Sequence, residues 1–253
     1  MNIQTELSKN KIKFVRSLSQ KKFRDELGLF IAEGEKLVGE LLPVFHCRLL
    51  AAQKQWLESH RNFTAGEIIE VNESGMDKIT QLKSPPTVFA LFEKPDYQTN
   101  ISFENKLTLA LDDIQDPGNV GAILRIADWF GIEQALCSEG VADVFNSKTI
   151  QASMGAIARV RTQVVNLPEL LSGIPKKIPI YGTFLEGESV YQANLAEEGI
   201  IVMGNEGKGI SDSVAQFVSQ KLFIPNFPSN RKSSESLNVA AATAIICSEF
   251  RRR

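Results

Sequence analysis

The chain has little of the equipment on which many enzymes rely. Among its 253 residues are two histidines, His46 and His60, too few and too far apart for a zinc site or a histidine-based triad. The three cysteines, Cys47, Cys137 and Cys247, are odd in number and widely spaced. They read as free thiols of a reducing cytosol, without a disulfide framework or a metal cluster. No apolar run approaches the roughly 20 residues that span a bilayer. The first residues, MNIQTELSKNKIK, put no apolar core behind their charges, so no secretory leader is expected. Lys plus Arg (28) nearly balance Asp plus Glu (30), a net charge of −2. The molecule is therefore no polycation, and local patches must meet any anionic partner. Internal repeats and low-complexity tracts are also missing. These absences point to a cytoplasmic protein with no metal and no membrane span.

What is present is ordinary globular material: 43% hydrophobic and 23% charged residues, enough for one large domain or two modest ones. Residues 8–24 carry Lys9, Lys11, Lys13, Arg16, Lys21, Lys22 and Arg24 and no acid. Ile12, Val15 and Leu18 form a helical stripe beneath those charges. A solvated helix face and a phosphate-contacting patch both fit that pattern. Strands at 29–32, 48–52, 67–71 and 87–92 then alternate with helices at 33–42, 53–60 and 73–82. Together they give a small α/β domain over residues 1–95. A polar stretch around Pro95 lacks periodicity and places a linker at 96–104. Residues 105–253 repeat strand and helix at intervals that suit a mostly parallel sheet. Strands are expected at 107–111, 134–137, 162–166, 178–184, 199–203 and 221–224. Helices are expected at 119–130, 147–158, 189–194, 211–218 and 236–250.

Three strand–loop–helix junctions of this second half stand out. The first is LALDDIQDPGNVGAILRIADWFGI, residues 109–132. Its strand breaks at Asp116-Pro117-Gly118, where Pro fixes φ and Gly permits φ > 0. The helix that follows buries Val120, Ile123, Leu124 and Ala127 at i, i+3, i+4 and i+7. Asn119 occupies the expected N-cap position. Arg125 lies about 140° round the helix from Val120, off the buried stripe. The second junction is Met203-Gly204-Asn205-Glu206-Gly207-Lys208-Gly209, whose three glycines let backbone amides converge on a ligand. It is not a P-loop, because Ile210-Ser211 stands where Lys-Ser/Thr would be needed, and the dinucleotide G-x-G-x-x-G spacing is absent. The third junction runs from Ile224-Pro225 through a polar loop to Ser236-Leu237-Asn238. Ser236 is a natural N-cap, but Asn238 is a poor helix former just inside the first turn.

With these three motifs in order, residues 105–250 resemble the SpoU family of RNA ribose 2′-O-methyltransferases, of the SPOUT superfamily. Asp116-Pro117-Gly118-Asn119-Val120-Gly121 with Arg125 resembles the first family motif. Residues 203–209 resemble the second, and Ile224-Pro225 with Ser236-Leu237-Asn238-Val239 the third. The N-terminal part is similar to the family's ribosomal-protein-like substrate-binding domain, through the basic helix and Phe30-Ile31-Ala32-Glu33-Gly34. Two departures are Ile126, where a small polar residue is commoner, and a longer loop over 226–234 that adds Pro228, Arg231 and Lys232.

The resemblance implies an α/β fold whose C-terminal, mostly parallel sheet carries a deep trefoil knot. It also implies S-adenosylmethionine as cofactor, with contacts at Thr183, Gly204, Asn205, Gly209, Ile224 and Leu237. The reaction implied is methyl transfer to a ribose 2′-hydroxyl of structured RNA, rRNA favoured over tRNA. Catalytic roles fall on Asn119, Arg125, Glu206, Ser236 and Asn238, with Glu206 orienting Arg125 from its own or the partner subunit. RNA would be met by Lys11, Lys13, Arg16, Arg24 and Arg125. Family members are homodimers packed through the catalytic domain. The alternatives are a tRNA 2′-O-methyltransferase and an inactive RNA-binding paralogue.

Overall fold

The structure, a computed structural model, describes residues 3–5, 7–97, 101–227 and 236–252. The first half of the chain contains β1 (Ile3–Gln4), α1 (Lys9–Ser17), α2 (Lys21–Leu27), β2 (Leu29–Glu33) and α3 (Glu35–Leu41). It continues with β3 (Cys47–Ala52), α4 (Lys54–Ser59), β4 (Ile68–Glu70), α5 (Glu73–Asp77) and β5 (Val88–Glu93). After these come β6 (Leu107–Leu111), α6 (Pro117–Trp129), β7 (Gln134–Cys137), α7 (Ser147–Ser153), β8 (Arg161–Val164) and α8 (Leu167–Ser172). The chain ends with β9 (Ile180–Ser189), β10 (Gly199–Met203), α9 (Asp212–Ala215), β11 (Gln220–Phe223) and α10 (Val239–Arg252).

Two compact units result. One comprises Met1–Asp96 with Asp143–Ala158, the other Tyr97–Ala142 with Arg159–Arg253. The division is therefore not the single cut expected between 95 and 105, because Asp143–Ala158 leaves the second half to join the first unit. Phe145 packs its ring 5.1 Å from that of Phe30, and Ser147 Oγ donates to Gln81 Oε1 at 2.6 Å. Sequence periodicity carries no sign of such an excursion, since it reports local conformation and not the packing partner.

The first unit is a five-stranded sheet in the order β1-β4-β3-β5-β2. β1, β4 and β3 are mutually parallel, and β5 runs against both β3 and β2. The basic run of residues 8–24 is two helices, not one. Val15 and Leu18 of the predicted stripe are buried against Ile31, Ile69 and Phe89, with Ile12 packed alongside. Arg24 corrects an expectation. It is 3% exposed, its Nε and Nη2 donate to Asp143 Oδ2 at 3.0 and 2.5 Å, and its Nη1 donates to the carbonyls of Leu18 and Ser19 at 2.8 Å each. A guanidinium used up in this way holds the Asp143 segment in place and is closed to RNA. Lys11 is ion-paired with Glu67, which leaves Lys13 and Arg16 as the exposed cations among the RNA-binding residues expected here.

The second unit is a six-stranded sheet, β11-β9-β10-β6-β7-β8, in which every neighbouring pair is parallel. All five residues of β6 and of β10 are buried, the signature of central strands covered on both faces. Ala110, Leu136, Ile200 and Val202 pack against Leu167, Leu171, Ile210 and Val214 on one side. The predicted α6 stripe, Val120, Ile123, Leu124 and Ala127, is fully buried. From β6 the chain adds β7 and then β8 on one side, and after crossing over it places β9, β10 and β11 on the other, with β10 next to β6. The switch point thus lies between the adjacent carboxyl ends of β6 and β10, where open α/β sheets form their ligand crevice.

Several elements differ from expectation. α5 covers only Glu73–Asp77 of the expected 73–82. α7 stops at Ser153, because Met154 (φ +51°) and Gly155 (φ +91°) both turn left-handed. β9 extends through the region where a helix was expected to begin at Ser189, and α8 was not foreseen.

Candidate active site

The site is built from the loops that leave β6 and β10 and from the start of α10. The Asp112 amide donates to the Met203 carbonyl at 2.8 Å, which prolongs the β6–β10 pairing. Asp113 then adopts φ +55°, a left-handed backbone that Asp tolerates better than most residues, and turns the chain. Its amide donates to Ser138 Oγ at 2.9 Å. Asp116, not Asn119, caps α6: Asp116 Oδ1 accepts from the Asn119 amide at 2.9 Å, with Pro117 opening the first turn. This corrects the N-cap expected at Asn119 and explains why its side chain is free for other work.

That side chain joins three distant parts of the sequence. Asn119 Nδ2 donates to Glu206 Oε1 at 2.6 Å, and Asn119 Oδ1 accepts from Asn238 Nδ2 at 3.0 Å. Asn238 Oδ1 in turn accepts from the amides of Ala240 and Ala241 at 3.0 and 3.2 Å. Asn238 is therefore the N-cap of α10, and the cap role expected of Ser236 falls away. Ser236 is exposed, two residues before the cap. The orientation of both amides follows from the ends of this relay. Two backbone N–H groups require Asn238 to present its oxygen, and the carboxylate requires Asn119 to present its nitrogen.

The glycine-rich loop is fastened from within. Asn205 and Gly209 exchange backbone hydrogen bonds at 3.0 and 2.9 Å. Asn205 Oδ1 accepts from the amides of Gly207 and Lys208 at 2.9 and 3.0 Å, and Asn205 Nδ2 donates to the Asp113 carbonyl at 2.7 Å. Asn205 thus shapes the loop and ties it to β6, with both side-chain polar atoms engaged. A Cβ on Gly204 would lie 2.4 Å from the Gly209 carbonyl carbon, so only glycine fits there. Buried Asp112 (5% exposed) closes the far side, its Oδ2 accepting from the Ser211 amide at 2.8 Å. Gly209 has φ +71° and open space where a side chain would project.

The remaining expected residues lie on other elements of the second unit. Thr183 on β9 donates its hydroxyl to the Val202 carbonyl at 3.0 Å. Ile224 follows β11 and is half-buried, and Leu237, beside the cap, is 49% exposed. Pro228, Arg231 and Lys232 of the longer loop lie outside the described residues. Arg125 is exposed on α6 and has no hydrogen-bonded or ion-paired partner among the described residues. Within the chain, Glu206 meets Asn119. Asp112, Asp113 and Asp116 were not singled out as site residues; the left-handed turn and the cap that give them their roles appear only in three dimensions. Burial pushes the thiols of Cys47, Cys137 and Cys247 up to about 12, so none is a nucleophile at neutral pH. Among the described residues no group of three or more His, Cys, Asp or Glu side chains could hold a metal ion, and no helix is long and apolar enough to cross a membrane.

Comparison with known proteins gives this geometry a family. Residues 106–248 match the model of the SpoU rRNA Methylase family, and residues 9–90 match that of the MRM3-like substrate binding domain. The chain is similar to the 23S rRNA (guanosine(2553)-2'-O)-methyltransferase RlmP of Bacillus subtilis, with 29% identity over 98% of this chain and 99% of that protein. Among solved structures, it resembles a candidate RNA methyltransferase of the TrmH family from Porphyromonas gingivalis, with TM-score 0.90 and 44% identity over 98% of this chain and 100% of that one. It also resembles the AdoMet-bound rRNA methyltransferase from Sinorhizobium meliloti, with TM-score 0.85 and 28% identity over 99% and 97% of the two chains.

Proposed function

From the membership of this chain in the SpoU rRNA methylase family, we infer that it transfers a methyl group from S-adenosylmethionine to a ribose 2′-hydroxyl of structured RNA, rRNA in preference to tRNA. The observation that carries the inference is the Asn238–Asn119–Glu206 relay, which gathers all three family motifs at the switch point of the sheet. Residue types fit the cofactor. The 204–209 loop is held rigid by Asn205, excludes a side chain at Gly204 and leaves space over Gly209, which suits a ligand gripped mainly by backbone groups. Gly204, Gly209, Ile224 and Leu237 would hold it, with Thr183 bracing β10 from β9 and Asn205 keeping the loop in shape.

When bound, S-adenosylmethionine supplies a sulfonium methyl, an electrophile already activated for transfer to oxygen. The transfer would break the S–CH3 bond, leave a neutral thioether and release the hydroxyl proton to solvent, so the protein's task is to orient the hydroxyl and steady its developing charge. A guanidinium offers five donors and no acceptor, so Arg125 serves as an electrostatic partner and not as a literal base. Its exposed, unpaired guanidinium binds the adjacent RNA phosphate in a fork and stabilises charge developing on the ribose oxygen. Asn119, fixed by Glu206 and Asn238, positions the ribose, with Ser236 exposed at the same junction. Lys13 and Arg16 contribute phosphate contacts from the first unit.

This reading includes the knotted form of the C-terminal sheet, a homodimer built through the catalytic unit and a cytoplasmic setting. The knot is supported by the return of the chain after edge strand β11 to the first junction, where Asn238 bonds Asn119. Calorimetry with S-adenosylmethionine and methylation of rRNA with labelled cofactor test the whole. The expected product is a nuclease-resistant 2′-O-methylated dinucleotide, and a label found on a base would overturn the assignment. Arg125→Lys is expected to lose most activity, because a point charge cannot replace the fork; near-full activity would remove the bidentate role.

A further inference from the structure

The first unit holds a cleft of about 690 Å³ that methyl transfer does not use. It lies outside the carboxyl ends of three parallel neighbours: Thr5 follows β1, Gln53 follows β3 and Val71 follows β4. We propose that this cleft receives one nucleotide of the substrate RNA, turned out of its stack, with its phosphate at Lys54 and Lys78 and its base edge against Glu70 and Gln55. The proposal rests on the RNA-methylating function inferred above.

Four observations lead there. The volume falls in the range of roughly 300–1,000 Å³ that single small ligands fill. The lining is amphoteric, carrying Lys54 and Lys78 as well as Glu70 and Glu73, and none of the four has an ion-pair partner among the described residues. A bare anion would be repelled by half of that set. A nucleotide is not, because its phosphate suits the lysines and the amino group of its base suits a carboxylate. Gln53 and Gln55 add side-chain amides that can both donate and accept, while Val71 and Leu7 offer apolar contact. The rim is continuous with the basic face of α1: Arg16 Nε donates to the Lys78 carbonyl at 2.7 Å, and Lys13 is exposed on the same helix. An RNA backbone tracking Lys13 and Arg16 is thereby led to Lys78. Sequence-specific RNA recognition usually takes this form, an unstacked base read along its edge.

The test uses the full chain and unmodified, in-vitro-transcribed rRNA. The double variant K54A/K78A should bind that RNA about tenfold more weakly, with a salt slope lower by about one, for the one phosphate that loses its cations. Its affinity for S-adenosylmethionine and its melting temperature should not change. Saturation-transfer NMR on the wild type should detect cytidine monophosphate more strongly than uridine monophosphate, and E70Q should erase that difference. Unchanged RNA affinity and salt slope in K54A/K78A, beside a wild type that methylates rRNA, would overturn the cleft and leave the function standing. That is also the result expected if the cleft instead docks a ribosomal protein. A wild type that methylates no rRNA would overturn the underlying function itself.

Discussion

Asn119 shows what a single residue does here and how much of it sequence can tell. Its type and place mark it as part of the first motif, yet the cap role expected of it belongs to Asp116. Asp, Asn and Ser cap almost equally well, and the sequence offers two such residues three positions apart at α6 and another pair, Ser236 and Asn238, at α10. Sequence cannot choose between them, and the choice decides which side chain is free for chemistry. Asn119→Asp keeps the shape but replaces a donor by a second carboxylate facing Glu206. Single-turnover methylation should fall about 10²–10³-fold, the scale for losing one oriented polar group, with cofactor affinity nearly unchanged by calorimetry. Arg24 is the opposite case, a basic residue that the charge pattern assigns to RNA and the fold takes for itself. Removing it leaves the largely buried Asp143 carboxylate without its counter-charge. Arg24→Ala should cost about 3–5 kcal/mol in urea denaturation, and RNA affinity per folded molecule should stay constant.

At the scale of elements, the long and regular ones were legible. β6, β10 and α6 follow their periods because burial on both faces, or on one stripe, leaves the pattern no freedom. The short ones were not. α5, α8 and the truncated α7 depend on caps and on the left-handed Met154, whose cost is met by tertiary contacts that the local sequence does not announce. α10 gives this scale its test, because Asn238 both caps it and reaches Asn119. Asn238→Asp retains the capping oxygen and loses the donor. Its unfolding free energy should stay within about 0.5 kcal/mol of wild type, while Asn238→Ala should lose about 1 kcal/mol. Methylation should drop by a similar factor in both. An Asp variant with full activity would show that the relay is only a cap.

At the scale of the whole chain, the sequence conveys two sheets, their order along the chain and the family, but not that Asp143–Ala158 packs with the first unit. It is equally silent about surface, because one exposed apolar residue looks like any other in a string. Trp129 is 84% exposed at the end of α6, an unusual place for so large an apolar side chain. Beside it Arg251 of α10 donates to the carbonyls of Phe130 and Gly131 at 2.7 and 3.0 Å, fixing the end of one helix to the other. A rigid edge that presents a tryptophan suits an isologous contact, in which each copy of the chain covers the other's Trp129. Sedimentation of the wild type should give twice the 28.0 kDa chain mass. Trp129→Glu should shift the protein to the monomer, because two carboxylates would face each other across the axis. Circular dichroism should remain that of the folded wild type. Methylation should fall together with the dimer if the partner completes the site. A Trp129→Glu protein that stays dimeric would place the contact elsewhere on the catalytic unit, and a monomeric one with full activity would show that each chain carries a whole site.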